Sequence, residues 1–320
     1  MPLTLEDLYQ SPDHYLHSLD GDRAIFVPMD RAAYHRSIFL DARISSAGGQ
    51  SFALSVELLA QAVRPPQPTA WLFHMAHVGS TVLARALDDP GASLVLREPL
   101  ALRQLSVDAD DLRLRIVTAM LSKRYRPDAP TLVKANVPVN FLLPKLAAID
   151  ADARAILLYL PLRDYLMAIL RTDSHRLWLR NVMRYLAVHV GNVSALSDAE
   201  RAAALWLAQI NAFAEALSVL PNARTLSAEI FFAEPEGVLN AAANHLGVPI
   251  PPAEIAATVA GRLFSTNAKN PTVAFDSSQR KTQRRELEHA ITAELDAAEE
   301  WVAQRSQAPE AALTAAVLKL

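Results

Sequence analysis

The segment Met75-Ala76-His77-Val78-Gly79-Ser80-Thr81 has the residue types of an anion cradle. It follows an apolar run from Trp71 to Met75 and precedes Val82-Leu83-Ala84-Arg85-Ala86-Leu87, a helix-forming stretch. A turn between a strand and a helix N-terminus aims unpaired backbone N–H groups and the positive end of the helix dipole at one point, which is how folds hold phosphate. Gly79 lets the backbone come close to a ligand, and the Ser80 and Thr81 hydroxyls add donors. The same residues also suit a plain helix N-cap, and the turn alone does not separate the two readings.

Other residues of chemical interest lie further along. Glu98 stands at the tip of a second apolar run, Leu94-Val95-Leu96-Arg97, where it either takes part in chemistry or merely caps a turn or pairs with Arg97. Arg163 follows a third run, Ala155 to Leu160, at the C-terminal edge where open α/β sheets bind ligands. Its planar fork is well shaped for a phosphate, although Asp164 beside it is a competing partner. Arg176, Arg180 and Arg184 recur every four residues, forming one basic stripe along a helix that is either a solvated face or the lining of an acidic acceptor site. The histidines show no ligand spacing with carboxylates, so no metal is expected, and Trp71, Trp178, Trp206 and Trp301 read as core residues.

These residues need a frame, and the pattern from residue 67 onward supplies one. Apolar runs at Trp71 to Met75, Ser93 to Leu96, Thr131 to Ala135, Ala155 to Leu160 and Arg224 to Ser227 alternate with helical stretches, as a parallel sheet with crossover helices requires. One helix begins at Ser197 with Glu200 completing a capping box, another has Pro235 in its first turn and Gly247 just past its end. A last long helix carries Leu287, Ile291, Leu295, Ala298 and Val302 on one face. Before the proline-rich linker at residues 65–68, short strands are expected around Ala24 to Val27 and Ser37 to Leu40, with a helix from Ser55 to Val63. The division is an N-terminal α+β extension of unassigned role over 1–66 and an α/β domain over 67–320.

Composition narrows the classes of function. With 51% hydrophobic residues, 20% charged and 9 glycines, the 320-residue chain is a packed, helix-rich protein. A net charge of −3 gives no general attraction to nucleic acid or to an anionic membrane, so any anion site is local. The absence of cysteine excludes disulfides, thiolate metal sites and cysteine nucleophiles. No signal peptide or membrane span is read, and a cytoplasmic location is expected; oligomeric state stays open.

The loop departs from the nucleotide-hydrolysing pattern GxxxxGK[ST], since His74 occupies the first glycine position and Ser80 the lysine position. Without that lysine, ATP γ-phosphate chemistry loses its main cation. The loop resembles instead the 5′-phosphosulfate loop of the P-loop sulfotransferases, a basic residue followed by Ser-Gly-Thr-Thr and a helix. Val78-Gly79-Ser80-Thr81 matches that tetrad, and His77 stands where the family has Lys or Arg. Further segments fall in family order: Glu98 at the strand tip where several sulfotransferases place the general base, Lys134-Ala135-Asn136 after the next strand, and Arg163-Asp164 at the hallmark strand end. Trp206 and the stretch from Arg224 to Gly247 follow in the same order.

The resemblance implies a P-loop NTPase-like parallel sheet flanked by helices. It also implies 3′-phosphoadenosine 5′-phosphosulfate as co-substrate, a small-molecule acceptor and no metal. It assigns His77, Val78, Gly79, Ser80, Thr81 and Val82 to the 5′-phosphosulfate, and Arg163 to the 3′-phosphate. The family's serine eight residues after that arginine is Arg171 here, which either replaces the hydroxyl with a charge or marks a different donor. Glu98 is the implied acceptor base and His77 the implied catalytic cation. The family's glycine-rich closing loop is not recognisable; Phe264 to Pro271 and Arg280-Lys281 are candidate substitutes. A P-loop kinase and a non-catalytic nucleotide-binding protein of the same fold are the alternatives.

Overall fold

A computed structural model of the chain describes all residues except 1–2, 90, 109, 268–269, 275–276 and 308–309, and for 265–283 the backbone course alone. Five strands, β4 (Thr69–His74), β5 (Leu94–Arg97), β6 (Thr131–Lys134), β7 (Arg154–Tyr159) and β8 (Ala223–Ser227), form a parallel sheet in the order β5-β6-β4-β7-β8. Every residue of β4, β5 and β6 is buried, because helices cover both faces, and these strands therefore read as unbroken apolar runs. The register pairs Leu72 with Lys134, Arg97 with Lys134 and His74 with Leu158, so the C-terminal ends of the strands reach one edge together. The chain is thus an α/β protein with the parallel sheet and flanking helices expected from its pattern.

The helix Asp198–Val219 is the central support of one face. Ser197 and Glu200 close the expected capping box, and Trp206, Ile210 and Phe213 point into the core with at most 1% exposure. The helix is long and apolar enough to cross a membrane, yet its apolar side is committed to this core. Trp206 Nε1 donates to Leu160 O at 2.9 Å, fixing the helix to the end of β7. Gly247 ends the helix Pro235–Leu246 at φ 73°, the left-handed turn that its glycine permits.

Residues 14–55 add a second, antiparallel sheet in the order β1 (His14–Asp20), β2 (Arg23–Pro28), β3 (Phe52–Ser55). It is bolted to the α/β core by buried side chains. Arg97, 1% exposed, pairs with Asp88 and donates to the carbonyls of Tyr34 at 2.7 Å, His35 at 2.9 Å and Ser37 at 3.1 Å, closing the C-terminus of the helix Arg31–Arg36. Lys123, 2% exposed, donates to Leu8 O at 3.0 Å and to His14 O. Burial pulls its pKa down to about 7. Gln104 gives and takes a hydrogen bond at 2.8 Å with the backbone of Leu19.

Two expected elements differ. Ser37 to Leu40 is not a strand: Ser37 ends the helix Arg31–Arg36, and Leu40 instead donates to Arg97 O at 2.7 Å, tying the segment to the end of β5. The last long helix is two, Ser277–Ala290 and Thr292–Ala303, parted at Ile291. Thr292 Oγ1 donates back to Glu288 O at 2.7 Å, a local bond that competes with the helical ladder.

Candidate functional site

The phosphate-type turn lies where the sequence places it, between the central strand β4 and the helix Ser80–Ala86. Asn140, fully buried, donates to His74 O at 3.0 Å and to Gln209 Oε1 at 3.0 Å, so the start of the turn is pinned to the core helix. His74 itself is buried and neutral, with burial and then the Lys134 charge lowering its pKa to about 3. Two residues of the turn have left-handed backbones, His77 at φ 61° and Gly79 at φ 82°. Gly79 is the N-cap and has no side-chain capping bond, leaving the first N–H groups of the helix to the turn. A Cβ on Gly79 would lie 2.5 Å from Phe232 Cζ, because the Phe232 ring packs directly onto this residue. Val78, Ser80 and Thr81 are buried, and Val82 is half-buried.

His77 reaches sideways to the helix Asp173–Tyr185. Its ring centroid is 4.2 Å from that of His175 and 5.7 Å from that of Trp178. Arg171 closes this group, its Nε–H donating to His175 Nδ1 at 3.1 Å. The structure therefore brings His77 and Arg171 together, with His175 between them.

Glu98 stands just past β5, at φ 57°, its N–H donating to Lys134 O at 2.8 Å. Lys134, 0% exposed, donates to Glu98 Oε1, and Asn136 Nδ2 donates to Oε2 at 2.9 Å. Both carboxylate oxygens thus have a partner, and Glu98 pairs with Lys134, while Arg97 turns away to Asp88. The sheet order leaves one strand, β6, between Glu98 and the turn, a width of about 10 Å.

Arg163 is engaged by carboxylates of the C-terminal helices. It lies in the first turn of the helix Leu162–Leu170, with Arg171 at the opposite end. Its guanidinium is held by Glu288 at 2.9 Å, Glu299 at 3.0 Å and Asp296 at 3.5 Å, and the bond to Glu288 is the main cause of its raised pKa. The arginine stripe is likewise engaged: Arg176 grips Glu294 at 2.8 and 3.0 Å, Arg180 grips Asp198 at 2.6 and 3.0 Å, and Arg184 bonds Asn181. Ser265 to Pro271 and Arg280-Lys281, the candidate closing loop, lie outside the residues whose side chains are described. Among the described residues no group of three or more His, Asp or Glu side chains is arranged to hold a metal.

No family model matches the chain, and no curated protein does. Among the solved structures that match the chain, two do so at low similarity. The sulfotransferase domain from the curacin biosynthetic pathway is 12% identical, with a TM-score of 0.41 over 71% of this chain and 98% of that one. A sulfotransferase from Alicyclobacillus acidocaldarius is 14% identical, with a TM-score of 0.40 over 75% of this chain and 97% of that one. At these values the functional reading rests on the chain's own residues.

Several of those residues were missed in the sequence. His175 entered only as a histidine without ligand spacing and Trp178 only as core, although the two stand three residues apart on one helical face, with Arg171 just before that helix. Trp178 is half-buried, against His77. Phe232 carried no signal beyond an aromatic pair with Phe231, and its seat on Gly79 depends on a contact more than 150 residues away in the chain.

Proposed function

We propose that the protein is a sulfotransferase-like enzyme, moving the sulfuryl group of 3′-phosphoadenosine 5′-phosphosulfate to a hydroxyl or amine of a small acceptor. The observation that carries this reading is the combination, at one sheet edge, of a phosphate-type turn with Ser80 in the lysine position and a carboxylate, Glu98, about two strand spacings away. In this reading the backbone of Val78 to Val82, with the Ser80 and Thr81 hydroxyls, holds the 5′-phosphosulfate. Arg171 is the cation beside the turn for the 3′-phosphate; Arg163 joins it only by exchanging its carboxylate partners for phosphate.

The step is a direct in-line displacement. The acceptor oxygen or nitrogen forms a bond to sulfur as the bond from sulfur to the bridging oxygen of the 5′-phosphate breaks, and the acceptor proton passes to a Glu98 oxygen. Lys134 and Asn136 hold that carboxylate in one orientation, and His77, donating an N–H, faces the charge that develops on the bridging oxygen.

The geometry of Glu98 also favours a second reading. With Lys134 on one oxygen and Asn136 on the other, it suits a structural ion pair in a protein that binds a nucleotide without turning it over. The P-loop kinase alternative has no such support. Thermal unfolding with a transfer assay distinguishes the three: stabilisation by 3′,5′-adenosine bisphosphate but not by ATP with magnesium is expected, the reverse points to a kinase, and bisphosphate binding with no transfer in the wild type or in Glu98→Gln points to the non-catalytic protein.

A further inference from the structure

The N-terminal extension takes no part in the reaction described above, yet one stretch of it lies against Glu98. Leu40 donates to Arg97 O at 2.7 Å and accepts from Leu100 N–H at 3.3 Å, so its backbone holds the chain on both sides of Glu98. The neighbouring residues bring a ring and a cation to the same place. Phe39, 6% exposed, has the Arg43 guanidinium 4.0 Å from its ring centroid and the Lys134 ammonium 5.7 Å from it. Both cations thus share one ring. Lys134 is the residue that holds Glu98 Oε1, and Glu98 is itself within Coulomb range of Arg43.

Arg43 is open to a ligand. Its side chain is 59% exposed, and Asp41 takes one edge of its fork, accepting from Nε at 2.8 Å and from Nη2 at 2.6 Å. The end edge, formed by Nη1 and the second Nη2 hydrogen, lies outside that pair, and it fits a carboxylate or phosphate with two parallel hydrogen bonds. Asp41 is also within Coulomb range of Arg103, in the helix Leu100–Gln104, so one carboxylate is shared by two guanidinium groups. Arg43, Arg103 and Lys134 together outweigh Asp41 and Glu98, and the surroundings of Glu98 carry an excess of positive charge. The basic stripe differs, since Arg176 is matched by Glu294 and Arg180 by Asp198.

We propose that Arg43 selects the acceptor, gripping a carboxylate, phosphate or sulfate group of the molecule whose hydroxyl or amine reaches Glu98. This rests on the reading of Glu98 as the acceptor base and adds the acceptor class, a small anionic hydroxy or amino compound. The base comes from the parallel sheet and the anion-binding group from the N-terminal extension, with Phe39 seating the guanidinium and Leu40 fixing the segment to the strand tip. Asp41 then competes with the acceptor for Arg43. A guanidinium that only anchored its own segment would depend on Asp41, whereas one that binds acceptors is restrained by it.

The test is sulfuryl transfer from 3′-phosphoadenosine 5′-phosphosulfate by the full chain to phenolic acids of increasing length, each beside its amide. The acids are 4-hydroxybenzoate, 4-hydroxyphenylacetate and 3-(4-hydroxyphenyl)propionate. For at least one pair, kcat/KM for the acid is expected to exceed that for the amide by about tenfold or more. Arg43→Gln is expected to bring that ratio to within about threefold of one, and Arg43→Lys to restore part of it. Asp41→Asn, which keeps the Oδ1 that accepts from the Arg43 N–H, is expected to raise the ratio. Amides used as well as acids, a ratio that survives Arg43→Gln, or a fall in Asp41→Asn as in Arg43→Gln overturns the acceptor class and leaves transfer standing. No transfer to any of these compounds by protein that binds 3′,5′-adenosine bisphosphate overturns the acceptor class and leaves the donor reading. No bisphosphate binding by folded protein overturns the donor reading and this inference with it.

Discussion

Lys134, wholly buried at the end of β6, donates its ammonium to Oε1 of Glu98, just past the end of the neighbouring strand β5. The ammonium is 0% exposed, so the pair ties the candidate chemistry to the stability of the sheet edge. Glu98→Gln is expected to lower the unfolding free energy by about 3 kcal/mol, because it removes the carboxylate charge paired with a buried ammonium. Glu98→Leu combined with Lys134→Met should recover most of that loss in urea denaturation, without restoring transfer activity. Loss of activity in Glu98→Gln with stability changed by less than about 1 kcal/mol is the pattern of a residue used in chemistry and not in the fold.

Gly79 is held at φ 82° with the Phe232 ring against it. Gly79→Ala faces both the left-handed backbone and a contact of 2.5 Å, so a loss of about 1–3 kcal/mol is expected, together with loss of anion binding. Adding Phe232→Ala removes the clash and leaves the backbone strain. Thermal melts of the single and double variants separate the two contributions, and equal melting temperatures contradict the packing described.

Arg97, paired with Asp88, joins the helix Arg31–Arg36, which lies between β2 and β3, to the core through three carbonyls. Arg97→Met leaves the Asp88 carboxylate buried without its guanidinium, and a loss of about 3–5 kcal/mol is expected. Limited proteolysis should then cut first between residues 30 and 48. Cutting first inside the parallel-sheet region contradicts this attachment.

Lys123 gives a pH dependence of definite sign. Its folded pKa, about 7, lies below its ordinary value, so between that value and about 10 the unfolded chain binds more protons than the folded one. Stability contributed by this site therefore rises with pH across that window, by up to about 1.4 kcal/mol per unit, and its desolvation cost is fully present below pH 7. Lys123→Met, compared with wild type in urea titrations at pH 7 and 9, should lose this rise. An unchanged slope contradicts a buried, proton-shedding amine.

What was legible in the sequence was local. The run into His77-Val78-Gly79-Ser80-Thr81 is readable because an apolar strand, a glycine and a helix-forming stretch lie side by side, and the capping box at Ser197 for the same reason. The partners of the site residues were not readable, because they come from elsewhere in the chain. Arg163 meets Glu288 and Glu299, 125 and 136 residues away, and Arg176 meets Glu294, 118 residues away. A basic stripe and a strand-end arginine look the same in sequence whether they face a ligand or a distant acidic helix. Lys134 read as a strand end, and only the parallel register of β5 and β6 sets it beside Glu98.

The central claim is that the turn after β4 binds a 3′-phosphorylated adenosine nucleotide. Titration of the folded chain with 3′,5′-adenosine bisphosphate at pH 6 tests it most directly. The expected result is saturable one-to-one binding, weakened at least about tenfold by Arg171→Ala and by Gly79→Ala. A folded wild-type protein that takes up no bisphosphate contradicts it.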